Sequence, residues 1–123
     1  MVSILEEINR GLTETTGLYC YAEFPSDGFQ LPLLIVKENS NRQSTIALDG
    51  RVEVADLTYM ITIYSEDAED IYQYQTMIDE WFFTNAKRLN GQIQPIQVSG
   101  NVHYRTLTYQ GKVQRVGDNY YIL

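Results

Sequence analysis

The sequence contains one histidine, His103, and one cysteine, Cys20, the two residue types that most often perform nucleophilic or acid–base chemistry. His103 lies in a predicted strand, and no serine or cysteine is spaced to pair with it, so we interpret it as a surface or sheet-edge histidine. Cys20 stands between two tyrosines without a neighbouring base, which favours buried packing over reactivity. A single cysteine also excludes an intrachain disulfide and a thiolate metal cluster.

The acidic side chains do not form a recognisable catalytic or metal-binding pattern. The run at 65–70 lacks the ligand spacing and central glycine of a calcium loop, and such acids are common at helix N-termini. Asp79 and Glu80 point to successive positions around a helix and are predicted to form a solvated edge, not an acid–base dyad. The sequence has no nucleophile elbow, Walker loop, dinucleotide fingerprint or His-Glu-x-x-His motif. We therefore predict a protein that is not an enzyme, binds no cofactor or metal, and acts by binding and assembly.

Length and charge limit the classes of protein further. The chain has 123 residues, 44% of them hydrophobic, which predicts a single domain spanning 1–123. The formal net charge of −7 divides into −11 over residues 1–86 and +4 over residues 87–123. This balance disfavours binding to nucleic acid or to anionic membranes. The chain shows neither a signal-peptide pattern nor a membrane-spanning apolar run, so a cytoplasmic setting is expected.

Two helices are predicted from apolar spacing and end signals. The first begins with a capping box of Ser3 and Glu6 and ends in the threonine-rich run before Gly17. The second is capped by Ser65, carries acids in its first turns, and ends in an αL cap at Asn90-Gly91, at a length of about 35 Å. Its apolar stripe consists of Ile71, Tyr74, Ile78, Trp81 and Phe82.

The strands between these helices are predicted from apolar runs and turn residues. Tyr19–Phe24 is one strand, and Leu33–Val36 is a continuous apolar run, which indicates a central strand covered on both faces. Asp49-Gly50 predicts a two-residue hairpin turn.

The returning strand of this hairpin changes its apolar phase. Val52 and Val54 occupy one phase, whereas 57–63 occupies the other, which predicts a bulge near Ala55-Asp56. Beyond that bend, Arg42–Val54 is expected to leave the core sheet as a projecting finger.

The C-terminal third is predicted to be β-structure. Strands are expected at Ile96–Val98, Val102–Tyr109, Lys112–Val116 and Tyr120–Leu123, with turns at Ser99-Gly100-Asn101, Gln110-Gly111 and Gly117-Asp118-Asn119. The predicted fold class is α+β, an antiparallel-rich mixed sheet of about five to seven strands packed by two helices, with a projecting β-hairpin. Some aromatic side chains cannot reach the core of such a fold: Tyr72, Phe83, and one of Tyr120 and Tyr121.

This order of elements resembles the tail-terminator, or tail-to-head joining, proteins of siphophages and related prophages. The resemblance is carried by LPLLIVKEN, by RVEVADLTYMITIYSEDAEDIYQYQTMIDEWF and by the short-stranded C-terminal part. It covers nearly the full chain and rests on length and element order, with no signature motif and no individual functional residue carried across.

The resemblance implies a homo-hexameric ring in the virion, at the neck or tail, assembled in the host cytoplasm. Such a ring would end the tail tube, contact the tube protein and a head-completion or connector protein, and let DNA pass without specific binding. A ring needs head-to-tail contacts, and the acidic body and basic C-terminal section could supply them between neighbours. The candidate interface residues are Arg42, Arg51, Glu53, Arg105, Lys112 and Arg115.

Three other functions stay open on the sequence. One is a different phage neck or minor capsid component. Another is an acidic inhibitor or immunity-type protein, which would be monomeric or dimeric and would bind a basic partner. The third, an enzyme with a carboxylate site, is the least favoured of the three, because the sequence has no recognisable catalytic pattern.

Overall fold

The computed structural model of the protein describes residues 3–46, 52–85 and 90–122. These residues form two helices and a mixed, mostly antiparallel sheet, so the predicted α+β fold class is confirmed. The helices are α1 (Leu5–Thr16) and α2 (Ala68–Asn85). The strands are β1 (Cys20–Tyr21), β2 (Leu33–Ile46), β3 (Val52–Ser65), β4 (Asn90–Ile93), β5 (Gln97–Ser99), β6 (Val102–Val116) and β7 (Asn119–Ile122).

The sheet is organised around β3 and β6. The strand order is β1-β2-β3-β6-β4, and β5 and β7 also pair with β6. β3 and β6 are antiparallel with an unbroken register, from Val52 opposite Val116 to Ser65 opposite His103. Among the described strands, only β1 is parallel to its neighbour, through Cys20 opposite Leu34 and Tyr21 opposite Ile35. β4, β5 and β7 therefore share one long strand as their common partner.

Both helices contribute to a core on one face of the sheet. Alternate residues of β3 are buried at this face, because successive side chains of a strand point to opposite sides. The largest fully buried side chains of this core are those of Ile8, Leu12, Leu34, Leu57, Tyr59, Ile61, Ile63, Ile71, Ile78 and Leu107. We call this side the helix face and the opposite side the open face.

The first helix differs from the prediction at its start. Its N-cap is Ile4, and no side chain caps it, so the predicted capping box of Ser3 and Glu6 is wrong. The Ser3 hydroxyl donates to Glu38 at 2.8 Å, and it accepts from the Leu5 N–H at 3.3 Å. A tertiary hydrogen bond thus uses the hydroxyl that the sequence pattern assigned to the cap. The helix ends as predicted at Gly17, in the left-handed conformation with φ 76°.

The second helix begins at Ala68, so the predicted cap at Ser65 is wrong, because Ser65 is the last residue of β3. The predicted acids Glu69 and Asp70 do lie in its first turn. The buried Ser65 hydroxyl accepts from the Asp67 N–H and donates to Asp70, and Asp67 accepts from the Glu69 N–H. The predicted stripe is confirmed, with Ile71, Ile78 and Phe82 buried and Tyr74 and Trp81 packed against the core.

The predicted αL cap of α2 at Asn90-Gly91 is wrong. Both residues belong to β4, where Gly91 pairs with Tyr109 and has no positive φ. The 18 residues of α2, Ala68–Asn85, span about 27 Å. The basic residues Lys87 and Arg88, which are predicted at the end of this helix, lie outside the described residues.

The first two strands are partly as predicted. The predicted strand Tyr19–Phe24 is limited to Cys20–Tyr21. Leu33–Val36 is buried at every position, which confirms that both faces are covered, although β2 lies one strand from the sheet edge. On the open face, Phe24 packs against Phe29 and Tyr64, each with ring centroids 4.9 Å apart. After β1, therefore, the chain does not continue as a strand but contributes aromatic side chains that cover part of the open face.

The predicted bulge is on the other strand of the hairpin. Register shifts occur in β2, between Glu38 and Ser40 and between Gln43 and Thr45, whereas β3 has an unbroken register with β6. The two apolar phases of β3 therefore serve two faces of one strand. The segment Arg42–Val54 is also not a separate two-stranded finger, because β6 pairs with β3 as far as Val52. The turn Asp49-Gly50 lies outside the described residues.

The predicted turn at Gln110-Gly111 is wrong. β6 runs through both residues, because they pair with Thr58 and Leu57 of β3. The turns on either side of β6 are as predicted, with Gly100 and Gly117 at positive φ. β4 was not predicted, since its residues Asn90–Ile93 lack an apolar pattern.

Gly11 allows α1 and α2 to approach closely, which generates a stability prediction. A Cβ at Gly11 would overlap the indole ring of Trp81. We expect Gly11→Ala to lower the free energy of unfolding by about 1–3 kcal/mol through overpacking, measured by urea denaturation. Helix propensity alone would raise stability by about 1 kcal/mol, so the sign of the change is diagnostic. The control is Gly11→Ala made in a Trp81→Ala background and compared with Trp81→Ala alone, where the added alanine should no longer lower stability. A loss of stability that persists in that background contradicts the close approach.

Tyr59 joins the N-terminal segment to the sheet. Its hydroxyl accepts from the Ile4 N–H at 3.0 Å and donates to Glu38 at 2.9 Å. Burial raises the pKa of Tyr59, and the adjacent Glu38 carboxylate raises it further. The folded protein therefore holds the phenol protonated at pH values at which an unfolded tyrosine ionises.

This pKa predicts a loss of stability in alkali. Tyrosines of the unfolded state release their protons near pH 10, so the unfolded state then binds fewer protons than the folded state and stability falls as pH rises. We expect Tyr59→Phe to flatten this decline by up to about 1.4 kcal/mol per pH unit, measured by urea denaturation from pH 9 to 12. At neutral pH the same variant should lose about 1–3 kcal/mol, because Ile4 and Glu38 lose their partner. Identical alkaline slopes in the two proteins would exclude this role.

Candidate assembly surface

The two residues that could do chemistry are held in structural positions. His103 is half-buried on β6 between Ser65 of β3 and Val98 of β5. The sheet-edge position, one of the two places predicted for it, is therefore wrong. The Cys20 thiol donates to the Asn9 carbonyl at 3.7 Å and accepts from the Thr13 hydroxyl at 3.6 Å. Burial raises the pKa of Cys20, which keeps the thiol protonated and a weak nucleophile.

The carboxylates are also used within the fold. Asp79 accepts a hydrogen bond from the Tyr109 hydroxyl, so the prediction that it lies on a purely solvated edge is wrong, whereas Glu80 is exposed. Tyr109 also stacks on Phe82 with ring centroids 3.7 Å apart. Within 3–46, 52–85 and 90–122, no three His, Cys, Asp or Glu side chains are grouped to hold a metal ion.

Three of the six candidate interface residues form ion pairs across β3 and β6. Arg115 Nη2 lies 2.9 Å from Oε1 of Glu53, and Lys112 Nζ lies 3.5 Å from Oδ1 of Asp56. Each pair occupies directly opposite positions of the ladder, with Glu53–Arg115 on the helix face and Asp56–Lys112 on the open face. The basic section therefore meets the acidic body inside one subunit at these positions.

The remaining candidates lie in different places. Arg105 Nη1 donates to Oε1 of Gln75 at 2.6 Å, and its guanidinium carbon lies 5.2 Å from the centroid of the Tyr72 ring. These contacts dock Arg105 on α2 through a charged hydrogen bond and a cation–π contact. Arg42 is exposed on β2, opposite Asp56, and Arg51 lies outside the described residues. The structure thus does not bring all six residues to one surface.

Exposed apolar side chains lie near both edges of the sheet. Tyr19, next to β1, has 67% of its surface exposed. At the opposite edge, the exposed fractions are 48% for Ile93, 58% for Val98 and 52% for Tyr121. The predicted exposure of aromatics outside the core is confirmed, and both Tyr120 and Tyr121 are exposed. Ile93 and Val98 were missed, because their position at an edge depends on how β4 and β5 pair with β6.

The outer surface of α2 adds a third exposed apolar region. Phe83 is 75% exposed, and Tyr72 and Met77 are exposed on the same helix. Tyr72 is partly engaged by Arg105, whereas Phe83 has no ring contact among the described residues. Neither α1 nor α2 has the length and apolar character needed to cross a membrane.

The two ion pairs predict unequal contributions to stability. The side chains of Arg115 and Glu53 are 28% and 14% exposed, whereas those of Lys112 and Asp56 are 47% and 50% exposed. In double-mutant cycles with alanine, we expect a coupling energy of about 1–2 kcal/mol for Arg115–Glu53 and below about 0.5 kcal/mol for Lys112–Asp56. Urea denaturation of the single and double variants provides both values. Equal coupling in the two cycles would show that burial does not distinguish the pairs.

Comparison with models of known protein families gives no match for this chain. Comparison with curated proteins gives no match either.

Proposed function

We propose that this protein is a structural component of a bacteriophage, which forms a ring that ends the tail tube and joins the tail to the head. The observation that best supports this function is the presence of exposed apolar side chains at both edges of the sheet. Tyrosine and other large apolar residues are favoured in protein interfaces because they bury much area at small conformational cost. A subunit that self-associates through both edges uses these residues directly.

The position of the two edges favours a ring over a symmetric dimer. A head-to-tail contact joins two different surfaces of the same chain, and it closes into a ring when the rotation between subunits allows it. β1 and the group of β4, β5 and β7 lie at opposite ends of the strand order. Two different surfaces are therefore available on opposite sides of one subunit, and the proposed assembly is a homo-hexamer.

The charge distribution assigns a limited role to the predicted electrostatic interface. Lys112 and Arg115 have acidic partners within the subunit. Among the candidate interface residues that the structure describes, the exposed Arg42 on β2 lies nearest to an open edge of the sheet. Reversing the charge at Lys112 and Arg115 would thus perturb folding as well as assembly. The net charge of −7 suits a channel through which DNA passes, because acidic walls offer phosphates no cation to bind. The proposed partners are further copies of the chain, the tail tube protein and a head-completion or connector protein.

The proposed function predicts a closed ring in solution. We expect the purified protein to sediment as a hexamer at micromolar concentration and to show rings by negative-stain electron microscopy. Apolar edge contacts should persist as salt is raised, because salt screens charges and does not weaken apolar burial.

The oligomeric state also separates the alternatives. An acidic inhibitor, which the net charge of −7 would suit, would stay monomeric or dimeric and would bind a basic protein. A different phage neck or minor capsid component would form an oligomer but would not cap purified tail tubes. A protein that remains a monomer at about 100 µM would contradict the ring.

A further inference from the structure

At one level the described sheet is four strands wide, and each of its two outer strands has an open edge. Gln43 of β2, Ala55 of β3, Val113 of β6 and Ile122 of β7 lie in one row across the sheet. β1 pairs with β2 only at Leu34 and Ile35, so it does not reach this level. Among the described strands, β2 at Gln43–Ile46 has β3 as its neighbour on one side, and β7 has β6 as its neighbour on one side. The outer edges of β2 and β7 therefore lie on opposite sides of a four-stranded segment.

The strand directions make these two edges compatible with each other. β2, β3, β6 and β7 are antiparallel at each successive pairing, so β2 and β7 run in opposite directions. When a second copy is placed beside the first by rotation about one axis, its β2 is antiparallel to β7 of the first. The antiparallel alternation then continues across the junction, which is the arrangement that gives well-aligned hydrogen bonds.

The hairpin geometry identifies which groups of β7 face outward. Gly117 and Asp118 form a two-residue turn between Val116 and Asn119, and such a turn is closed by a hydrogen bond from the Asn119 N–H to the Val116 carbonyl. Backbone groups alternate in direction along a strand of an antiparallel pair. The N–H and C=O of Tyr121 therefore point to β6, and those of Tyr120 point away from it.

The two edges differ in how they are protected. Exposed edge strands are usually guarded by charged residues, proline, bulges or a very short length. β7 is short, with the four residues Asn119–Ile122, but it contains no charged residue, no proline and no bulge. β2 carries Lys37 and Arg42 and two register shifts, but a bulge also bends a strand, and a sheet must be curved in this way to close on itself.

We propose that β7 of one subunit pairs edge-to-edge, in antiparallel direction, with the Gln43–Ile46 end of β2 in a second copy of this chain. This contact rests on the proposed function, since it is the head-to-tail junction of the ring. It joins the sheets of neighbouring subunits through backbone hydrogen bonds, and the N–H and C=O of Tyr120 are among the groups that it uses. The exposed side chains of Tyr120 and Tyr121 flank the junction.

The first test compares Tyr120→Pro with Tyr120→Ala. Proline removes the outward N–H and leaves the bonds of Tyr121 to β6 in place, whereas alanine removes only the side chain. We expect Tyr120→Pro to abolish the hexamer in analytical ultracentrifugation while circular dichroism stays that of a folded protein. Tyr120→Ala should keep the hexamer. Equal loss of the hexamer in both variants would overturn the pairing, because the side chain would then make the contact.

The second test replaces single backbone amides and does not depend on tolerance of proline. Incorporation of the α-hydroxy acid analogue of tyrosine at position 120 replaces the N–H of that residue with an ester oxygen, and a second variant carries the same change at position 121. The two positions are adjacent and have identical side chains, so they form a matched pair. The ester at 120 should weaken subunit association about tenfold with unchanged thermal stability, since one hydrogen bond contributes about 0.5–1.5 kcal/mol. The ester at 121 should lower thermal stability instead. The same effect at both positions would overturn the assigned directions.

The outcomes separate this junction from the proposed function. A wild-type hexamer that survives Tyr120→Pro and the ester at 120 would leave the ring intact and overturn the β7–β2 pairing. A wild-type protein that is monomeric throughout would overturn both.

Discussion

The antiparallel ladder between β3 and β6 positions every other part of the sheet. Its register is unbroken from Val52 opposite Val116 to Ser65 opposite His103, so each residue of one strand has a defined neighbour on the other. Residues Leu57, Tyr59 and Ile61 of β3 form the centre of the core on the helix face, beneath α1 and α2. A shift by one residue would move these side chains to the open face and abolish the core. Burial thereby fixes the register that places the charged and polar residues.

The same ladder determines where the charges of the chain are used. The acidic first part and the basic last part of the sequence meet at Glu53–Arg115 and Asp56–Lys112, because β3 and β6 come from these two parts. Charge asymmetry along a sequence can thus be satisfied within one subunit. The surfaces left for association are the exposed apolar side chains near the sheet edges and the outward backbone of the edge strands.

The proposed ring depends on the difference between the strands that pair with the two sides of β6. On one side, β6 is paired with β3 from His103 to Val116; on the other side, it is paired in three parts with β5, β4 and β7. Short strands leave apolar side chains such as Val98 and Tyr121 exposed at this edge. A subunit with such an edge, and with a β2 that extends beyond β1 at the other, has two distinct surfaces for neighbouring copies.

Much of the local structure could be predicted from residue patterns. The helical spacing of Ile71, Ile78 and Phe82, the continuous apolar run Leu33–Val36 and the glycine turns at Gly100 and Gly117 are local signals, and each has its expected place. The failures share one cause. Ser3 donates to Glu38 instead of joining a capping box, and Gln110-Gly111 continues a strand because β3 lies beside it. In both cases a tertiary partner outweighs the local preference.

The candidate interface shows the same division. The sequence by itself determined the α+β class, the face of α2 that is buried and the separation of charge along the chain, because these depend on residue spacing and composition. Only the tertiary structure decided that Arg115, Lys112 and Arg105 contact partners in their own subunit, and that Ile93, Val98 and β7 lie at an open edge. The physical reason is that strand pairing joins residues far apart in sequence, and no local pattern encodes which strands become neighbours.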